Sequence, residues 1–354
     1  MSSRLITFGF FAASISQVLA SCAYGTHLDP RAEEGKVKVN NFAYTGSNGP
    51  LNWVALDATA NQLCATGTTQ SPIDMVAGSF NVLPGSSINL EIPDMAEGTE
   101  FENLGTTVEV IAKGGSMQVG GSNFTLQQFH FHLPSEHLDA GKSMAMEMHM
   151  VFEGANQEIA VIGTYIDLEQ GAAAAAPAAP VAEAAPAIPA MGTNPIKAEA
   201  ASSNLLETVF SSLDAIKEPG TVTKTGALDM QEVVTLLSAG SFQSYMGSLT
   251  TPPCSEGVQW LVSTQRLMVQ PQTFTAVRDV IGFNARFPQN TLGQANIIQV
   301  AQQSLATANI ANPIAAAPAV AAPVAADPVA AAPAAPAAEA AKEAAPVAAP
   351  AAHA

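Results

Sequence analysis

Four of the six histidines, His130, His132, His137 and His149, fall within twenty consecutive positions of a 354-residue chain. In a β-strand, residues i and i+2 lie on one face. Gln128-Phe129-His130-Phe131-His132 therefore reads as a strand with an imidazole side and an apolar side of Phe129 and Phe131. A second strand, over about 145–152, places Glu147 and His149 on one face and Met148 and Met150 on the other. Antiparallel pairing of the two brings His149 beside His130 and His132. A lone histidine on a sheet is usually a hydrogen-bonded core or surface residue. Three neutral imidazoles converging without a cysteine instead suit a divalent ion, and zinc held by three protein ligands keeps a position for water. Gln128 and Glu147 each stand two residues before a histidine, where their oxygens can accept from the second ring nitrogen and so set tautomer and orientation.

Such a cluster needs a body to hold it. The length gives one sizeable domain or two small ones. The balance of 13 basic against 30 acidic residues, net −17, opposes nucleic-acid backbones and anionic membranes, so no nucleic-acid partner is expected. Residues 1–20 open with Arg4, continue through an apolar run and reach Val18-Leu19-Ala20, the pattern of a secretory signal. That run is too short to span a bilayer, and no other transmembrane segment is expected. The expected location is extracellular, cell-wall or periplasmic. Export permits disulfides, and of the three cysteines Cys64 and Cys254 lie in the folded region and can form one. Cys22 is left over, available for a dimer or, in Leu19-Ala20-Ser21-Cys22, for a lipid anchor. Asn123-Phe124-Thr125 is an N-glycosylation sequon.

After an N-terminal extension over 21–39 with no obvious element, Gly49-Pro50 and Trp53 mark turn-rich structure with aromatics against a body. Short alternating runs over 87–111, a hairpin over 116–126 and the β-branched run 158–168 predict a sheet-dominated fold. Residues 171–201, rich in Ala and Pro, read as a disordered insertion, and Ala/Pro repetition returns as a tail over 304–354. The pattern predicts helices over 204–216, over 230–237 with Asp229 and Glu232 as a capping box, and from Gln265 or Pro271 to 281.

A second stretch with chemical potential is Ser248-Leu249-Thr250-Thr251-Pro252-Pro253-Cys254. Alone it is a rigid loop. Beside a metal, a threonine hydroxyl can accept from bound hydroxide while donating to a carboxylate such as Glu136.

With these residues in view, the chain resembles the alpha-class carbonic anhydrases. Phe129-His130-Phe131-His132, Ser135-Glu136-His137, Glu147-Met148-His149-Met150-Val151 and Ser248-Leu249-Thr250-Thr251-Pro252-Pro253 carry the resemblance, supported by Tyr44, Asn48-Gly49-Pro50, Trp53, Gln70-Ser71-Pro72-Ile73-Asp74 and Asn284-Ala285-Arg286. It covers 40–303 apart from the insertion. It implies a mainly β, α+β fold: a central twisted, mostly antiparallel sheet of about ten strands with short peripheral helices. It further implies Zn2+ on His130, His132 and His149, with Gln128 orienting His130 and Glu147 orienting His149. Thr250 with Glu136 would orient the hydroxide, and Thr251 would contact bicarbonate. Val151, Val161, Leu249, Val258 and Trp260 would wall the carbon dioxide pocket, and Cys64 would join Cys254. The implied activity is reversible hydration of carbon dioxide to bicarbonate and a proton by zinc-bound hydroxide, with anions and sulfonamide-type compounds as inhibitors. The chain departs from the family's fast members at Thr106, where they carry a proton-shuttling histidine; His27 folded over the cleft is the alternative carrier. A catalytically silent, carbonic-anhydrase-like binding module is the competing reading, which loss of a ligand histidine would favour. A different hydrolase on the same site is a third reading, but the sequence shows no separate Ser/His/Asp set.

Overall fold

The computed structural model describes residues 23–31, 37–169, 197–198 and 201–311. The expected signal, Cys22, residues 170–196 and 199–200 of the insertion region, and the tail beyond 311 lie outside them. Contacts divide the chain into Met1–Ala306 and Thr307–Ala354, and of the second unit only the end of a helix is described.

The strands are β1 (Asp74–Met75), β2 (Asn81–Pro84), β3 (Glu100–Asn103), β4 (Val108–Ile111), β5 (Ser116–Val119), β6 (Ser122–His132), β7 (Leu138–Asp139), β8 (Met146–Gly154), β9 (Ile159–Leu168), β10 (Lys197–Ala198), β11 (Val222–Lys224), β12 (Ser241–Ser248) and β13 (Glu256–Val269). An 11-stranded sheet runs β11-β3-β4-β6-β8-β9-β13-β12-β2, with β5 added to β6 and β10 to β13. It is antiparallel except where β13 meets β9 and β10, while β1 and β7 form a separate parallel pair. The mainly β expectation is met. Lys197–Ala198, inside the expected insertion, pairs with Gln265 and Arg266.

One irregularity sets which way the histidines point. Leu126 pairs with Phe152 and Gln128 with Val151, so Gln127 is an extra residue in β6. An inserted residue reverses the alternation that follows it. Phe124 and Leu126 can thereby share the core face with Phe129 and Phe131, and Gln128 joins His130 and His132 on the other. Met146, Met148, Met150 and Phe152 of β8 complete the core side.

After two short helices, α1 (Trp53–Leu56) and α2 (Gln62–Thr66), three more cover that side: α3 (Asn204–Phe210), α4 (Gln231–Ala239) and α5 (Pro271–Ile281) bury Leu205, Leu206, Val209, Phe210, Val233, Leu236, Leu237 and Val277 in one cluster with the strands. Phe210 and Phe131 lie with ring centroids 4.7 Å apart. The helix expected over 204–216 stops at Phe210, capped at its start by Ser203, and Leu213–Ile216 is a separate 3-10 turn. The capping box expected at 229–232 is not formed. Asp229 accepts from Gln231 N at 3.0 Å, but Glu232 reaches across to Leu205 N at 3.0 Å, because the start of α3 is packed close enough to compete for it. Gln265 belongs to β13, and α5 begins at Pro271. A further helix, Ile297–Ala311, extends past the expected boundary at 303; its run of Gln, Ala and aliphatic residues has no proline before Pro313. No helix among the described residues is long and apolar enough to cross a membrane.

Candidate metal centre

The register assembles the site as rows of cross-strand neighbours. His130 pairs with His149, and His132 with Glu147, so the three imidazoles and the Glu147 carboxylate meet on one face of β6 and β8. All four side chains are buried. One nitrogen of each ring, His130 Nε2, His132 Nε2 and His149 Nδ1, has no hydrogen-bond partner. The three histidines offer ligand atoms lying within 4.8 Å of one another.

The other nitrogen of each ring is occupied. His130 Nδ1 donates to Gln128 Oε1 at 2.8 Å, His132 Nδ1 to the Asn284 carbonyl at 2.8 Å, and His149 Nε2 to Glu147 Oε1 at 2.9 Å. Each partner atom is an acceptor, so the ring proton is committed to it and a lone pair remains on the nitrogen facing the centre. Three buried lone pairs pointed at one spot are unfavourable without a cation. The donor set fits zinc, which takes three imidazoles and leaves a fourth position. Burial first, then the neighbouring imidazoles, holds His130 well below the usual histidine range and His132 down at about 3. His149 is also lowered by burial, with Glu147 opposing. The rings are therefore neutral at physiological pH, the form a metal requires.

Glu147 is buried, which alone would raise its carboxyl, but His137 and His149 outweigh burial and hold it well below the usual carboxylate range. Its Oε1 also accepts from His137 Nδ1 at 2.7 Å, and Oε2 from His137 N at 2.8 Å. His137 Nε2 meets the Tyr245 hydroxyl at 2.7 Å, which meets Ser71 Oγ at 2.8 Å. Gly163 stands opposite His149 on β9, and a Cβ there would lie 2.8 Å from Glu147 Oε1.

Thr250 hydrogen-bonds Glu136 through its side chain, and Glu136 Oε1 accepts from Arg286 N at 2.8 Å. Burial pushes Glu136 well above its usual range, with these two hydrogen bonds pulling the other way. The loop carrying Thr250 and Thr251 is pinned at several points. Leu249 N donates to Ser255 O at 2.9 Å, Cys254 N to Thr251 O at 2.8 Å, and Cys254 is in a disulfide with Cys64. Val151, Val161, Leu249, Val258 and Trp260 belong to one buried apolar cluster beside the histidine face, and Ala23 of the N-terminal segment belongs to it too. Thr106 is buried, its hydroxyl accepting from Asn40 Nδ2 at 2.7 Å. His27 Nδ1 lies 2.6 Å from Glu153 Oε1 on β8.

The sequence model of eukaryotic-type carbonic anhydrase matches residues 48–297. The chain belongs to the alpha-class carbonic anhydrase family. The structure of a fungal alpha carbonic anhydrase from Aspergillus oryzae aligns with TM-score 0.63 and 37% identity over 75% of this chain and 99% of that one. That of an alpha carbonic anhydrase from Thermovibrio ammonificans, in complex with the inhibitor sulfanilamide, aligns with TM-score 0.57 and 28% identity over 72% and 98%. A carbonic anhydrase of Neisseria gonorrhoeae is 30% identical over 63% of this chain and 73% of its own length. The histidine cluster is of the kind that holds zinc in carbonic anhydrases.

Sequence reasoning missed part of this carbonic anhydrase site. Asn284 lies 152 positions from His132 and offers a backbone oxygen, which no side-chain pattern announces. Its side chain is clamped to the end of β6, accepting from Leu133 N at 2.6 Å and donating to Phe131 O at 2.8 Å. His137 was visible as a fourth histidine, but its place behind Glu147 depends on the turn after β6. The N-terminal segment gave no signal beyond His27.

Proposed function

We propose that this chain is a zinc-dependent enzyme interconverting carbon dioxide and water with bicarbonate and a proton. The observation that carries the reading is the trio of buried, unpartnered imidazole nitrogens of His130, His132 and His149. These three residues would hold the ion, with Gln128, Glu147 and the Asn284 carbonyl fixing the rings. Zinc bound there supplies Lewis-acid activation of water, whose pKa falls from about 15.7 to about 7.

The chain's own groups then select and orient. Thr250 commits its hydroxyl proton to Glu136, so its oxygen can only accept from the attacking water, which turns a water lone pair toward the substrate. Val151, Val161, Leu249, Val258 and Trp260 offer carbon dioxide an apolar surface on which a small, uncharged molecule displaces little hydration. Thr251 contacts the anionic product and competing anions. Thr106 offers no imidazole to carry the proton away, so turnover is limited by proton transfer and rises with buffer. His27, the alternative carrier, is held at Glu153.

The organisation that goes with this reading is an export signal over 1–20, an extension over 21–39, a catalytic domain over 40–303 with its 171–201 insertion, and a tail over 304–354. The protein would act outside the cell or in the wall or periplasm, with Asn123 available for glycosylation in a eukaryotic host. Sulfonamides are expected inhibitors, as sulfanilamide is of the Thermovibrio ammonificans enzyme.

Stopped-flow hydration of carbon dioxide, on protein with quantified zinc, tests the reading. Catalysis proportional to bound zinc is expected. Zinc-replete protein that leaves hydration at the uncatalysed rate, with the segment Ala23–Arg31 both seated and displaced, overturns it in favour of a silent binding module.

A further inference from the structure

We propose that the N-terminal segment Ala23–Arg31 is an intramolecular inhibitor that occupies the mouth of the metal cleft and must leave before substrate enters. The inference builds on the proposed function but rests on separate observations.

The first is the path of the segment. Glu102, Glu109, His130 and His149 are successive cross-strand neighbours on β3, β4, β6 and β8, so their side chains form one row on the metal face. Glu153, four residues beyond His149 on β8, shares that face. The segment is fastened at both ends of this region. His27 meets Glu153 Oε1 at 2.6 Å, and Arg31 Nη2 lies 2.8 Å from Glu102 Oε2, with Nη1 3.6 Å from Glu109 Oε1. Between these anchors the chain crosses the face that holds the histidines.

The second is burial. Ala23 has no exposed surface and Tyr24 has 2%. Ala23 is part of the apolar cluster that contains Val151, Val161, Leu249, Val258 and Trp260. None of those five is more than 2% exposed, and Thr250 and Thr251 are fully buried. A wall that receives dissolved gas must be reachable from solvent, and here it is closed.

The third is charge. Glu102 and Glu109 face each other across β3 and β4, both buried, an arrangement that like charges disfavour. Arg31 supplies the counter-charge, and its guanidinium also lies over the Tyr24 ring at 5.1 Å. The segment is a shaped wedge, since Gly25 N donates to Asp29 O at 2.8 Å, Thr26 Oγ1 to Ala23 O at 2.6 Å, and Lys38 Nζ to Asp29 Oδ1 at 2.5 Å.

The test uses the full chain and two independent variants of the segment itself. Arg31→Glu sets a third acid against Glu102 and Glu109, and Ala23→Asp forces a charge into the apolar cluster. The readouts are the rate at which the metal-free chain takes up Zn2+ and the affinity of the zinc-loaded chain for sulfanilamide. If the seated segment leaves the cleft open about one tenth of the time, displacing it tightens sulfanilamide binding about tenfold. Zinc uptake is expected to accelerate in both variants. Equal uptake and equal affinity in wild type and variants overturn the inference, and circular dichroism establishes that the variants are folded. Faster uptake in variants that hydrate no carbon dioxide would sustain the inhibitor and defeat the enzyme reading, so the two failures are distinct.

Discussion

Glu147 Oε1 accepts from Nε2 of His149 at 2.9 Å, while the same oxygen accepts from His137 Nδ1 at 2.7 Å. The ligand ring is thus locked from behind by a carboxylate that a second ring holds ionised. Glu147→Gln has one amide oxygen and brings an NH2 group against donors, so one ring loses its anchor. Zinc affinity is expected to fall about 10- to 100-fold, as for other outer partners of metal-bound histidines. Competition with a chelator of known affinity measures it, and unchanged affinity would show that His149 is held by packing alone.

Gly163 leaves the space that Glu147 uses. A Cβ at this position would stand 2.8 Å from Glu147 Oε1 and 3.5 Å from the Trp260 ring. Gly163→Ala should therefore weaken zinc in the same direction as Glu147→Gln, although it touches neither hydrogen bond chemically. The two substitutions combined should cost less than the sum of their separate losses, because both act through one carboxylate.

The metal-free protein should lose stability as acid is added. Folded-state pKa values of His130, His132 and His149 are all lowered, His132 to about 3. Unfolding restores them to about 6.5, so below that pH the unfolded chain binds more protons than the folded one. The contribution of the neutral His132 ring is whole above about pH 6.5 and erodes as pH falls from there toward 3, and His130 and His149 act in the same direction. Each ring that stays neutral in the fold costs about 1.4 kcal/mol per pH unit across that window. Urea midpoints of the apoprotein between pH 7 and 4 read the slope; bound zinc should flatten it until protons compete the metal away.

Thr106→His should raise turnover in dilute buffer and change it little in concentrated buffer, since the imidazole replaces a carrier that buffer otherwise supplies. Stopped-flow hydration across a buffer series checks this. Unchanged turnover in dilute buffer would mean that another group already moves the proton or that another step limits.

The Cys64–Cys254 bond closes a loop with sequence separation 190 and anchors the residue whose N–H donates to Thr251. Replacing both cysteines by serine should lower stability by about 2–5 kcal/mol. Activity should fall further than stability explains if the Thr250–Thr251 loop loosens, which urea titration and hydration assays on the same samples separate.

The strand alternation of His130 and His132, the matching alternation of Glu147 and His149, and the Thr250-Thr251-Pro252-Pro253 loop could all be read along the chain, because each is local and obeys a period of two or a contiguous motif. The family resemblance rested on those same short stretches. Folding had to supply the rest. The extra residue at Gln127 turns the histidines to the face opposite the core, the Asn284 carbonyl reaches His132 from a distant loop, and Glu232 leaves its own helix to serve α3. Ala23 and Arg31 belong to a stretch without periodicity, and their place over the metal face comes from pairing with Glu102, Glu109 and an apolar wall assembled by other strands. Backbone acceptors, register shifts and long-range ion pairs carry no local signature, because their energy exists only once distant segments have been brought together.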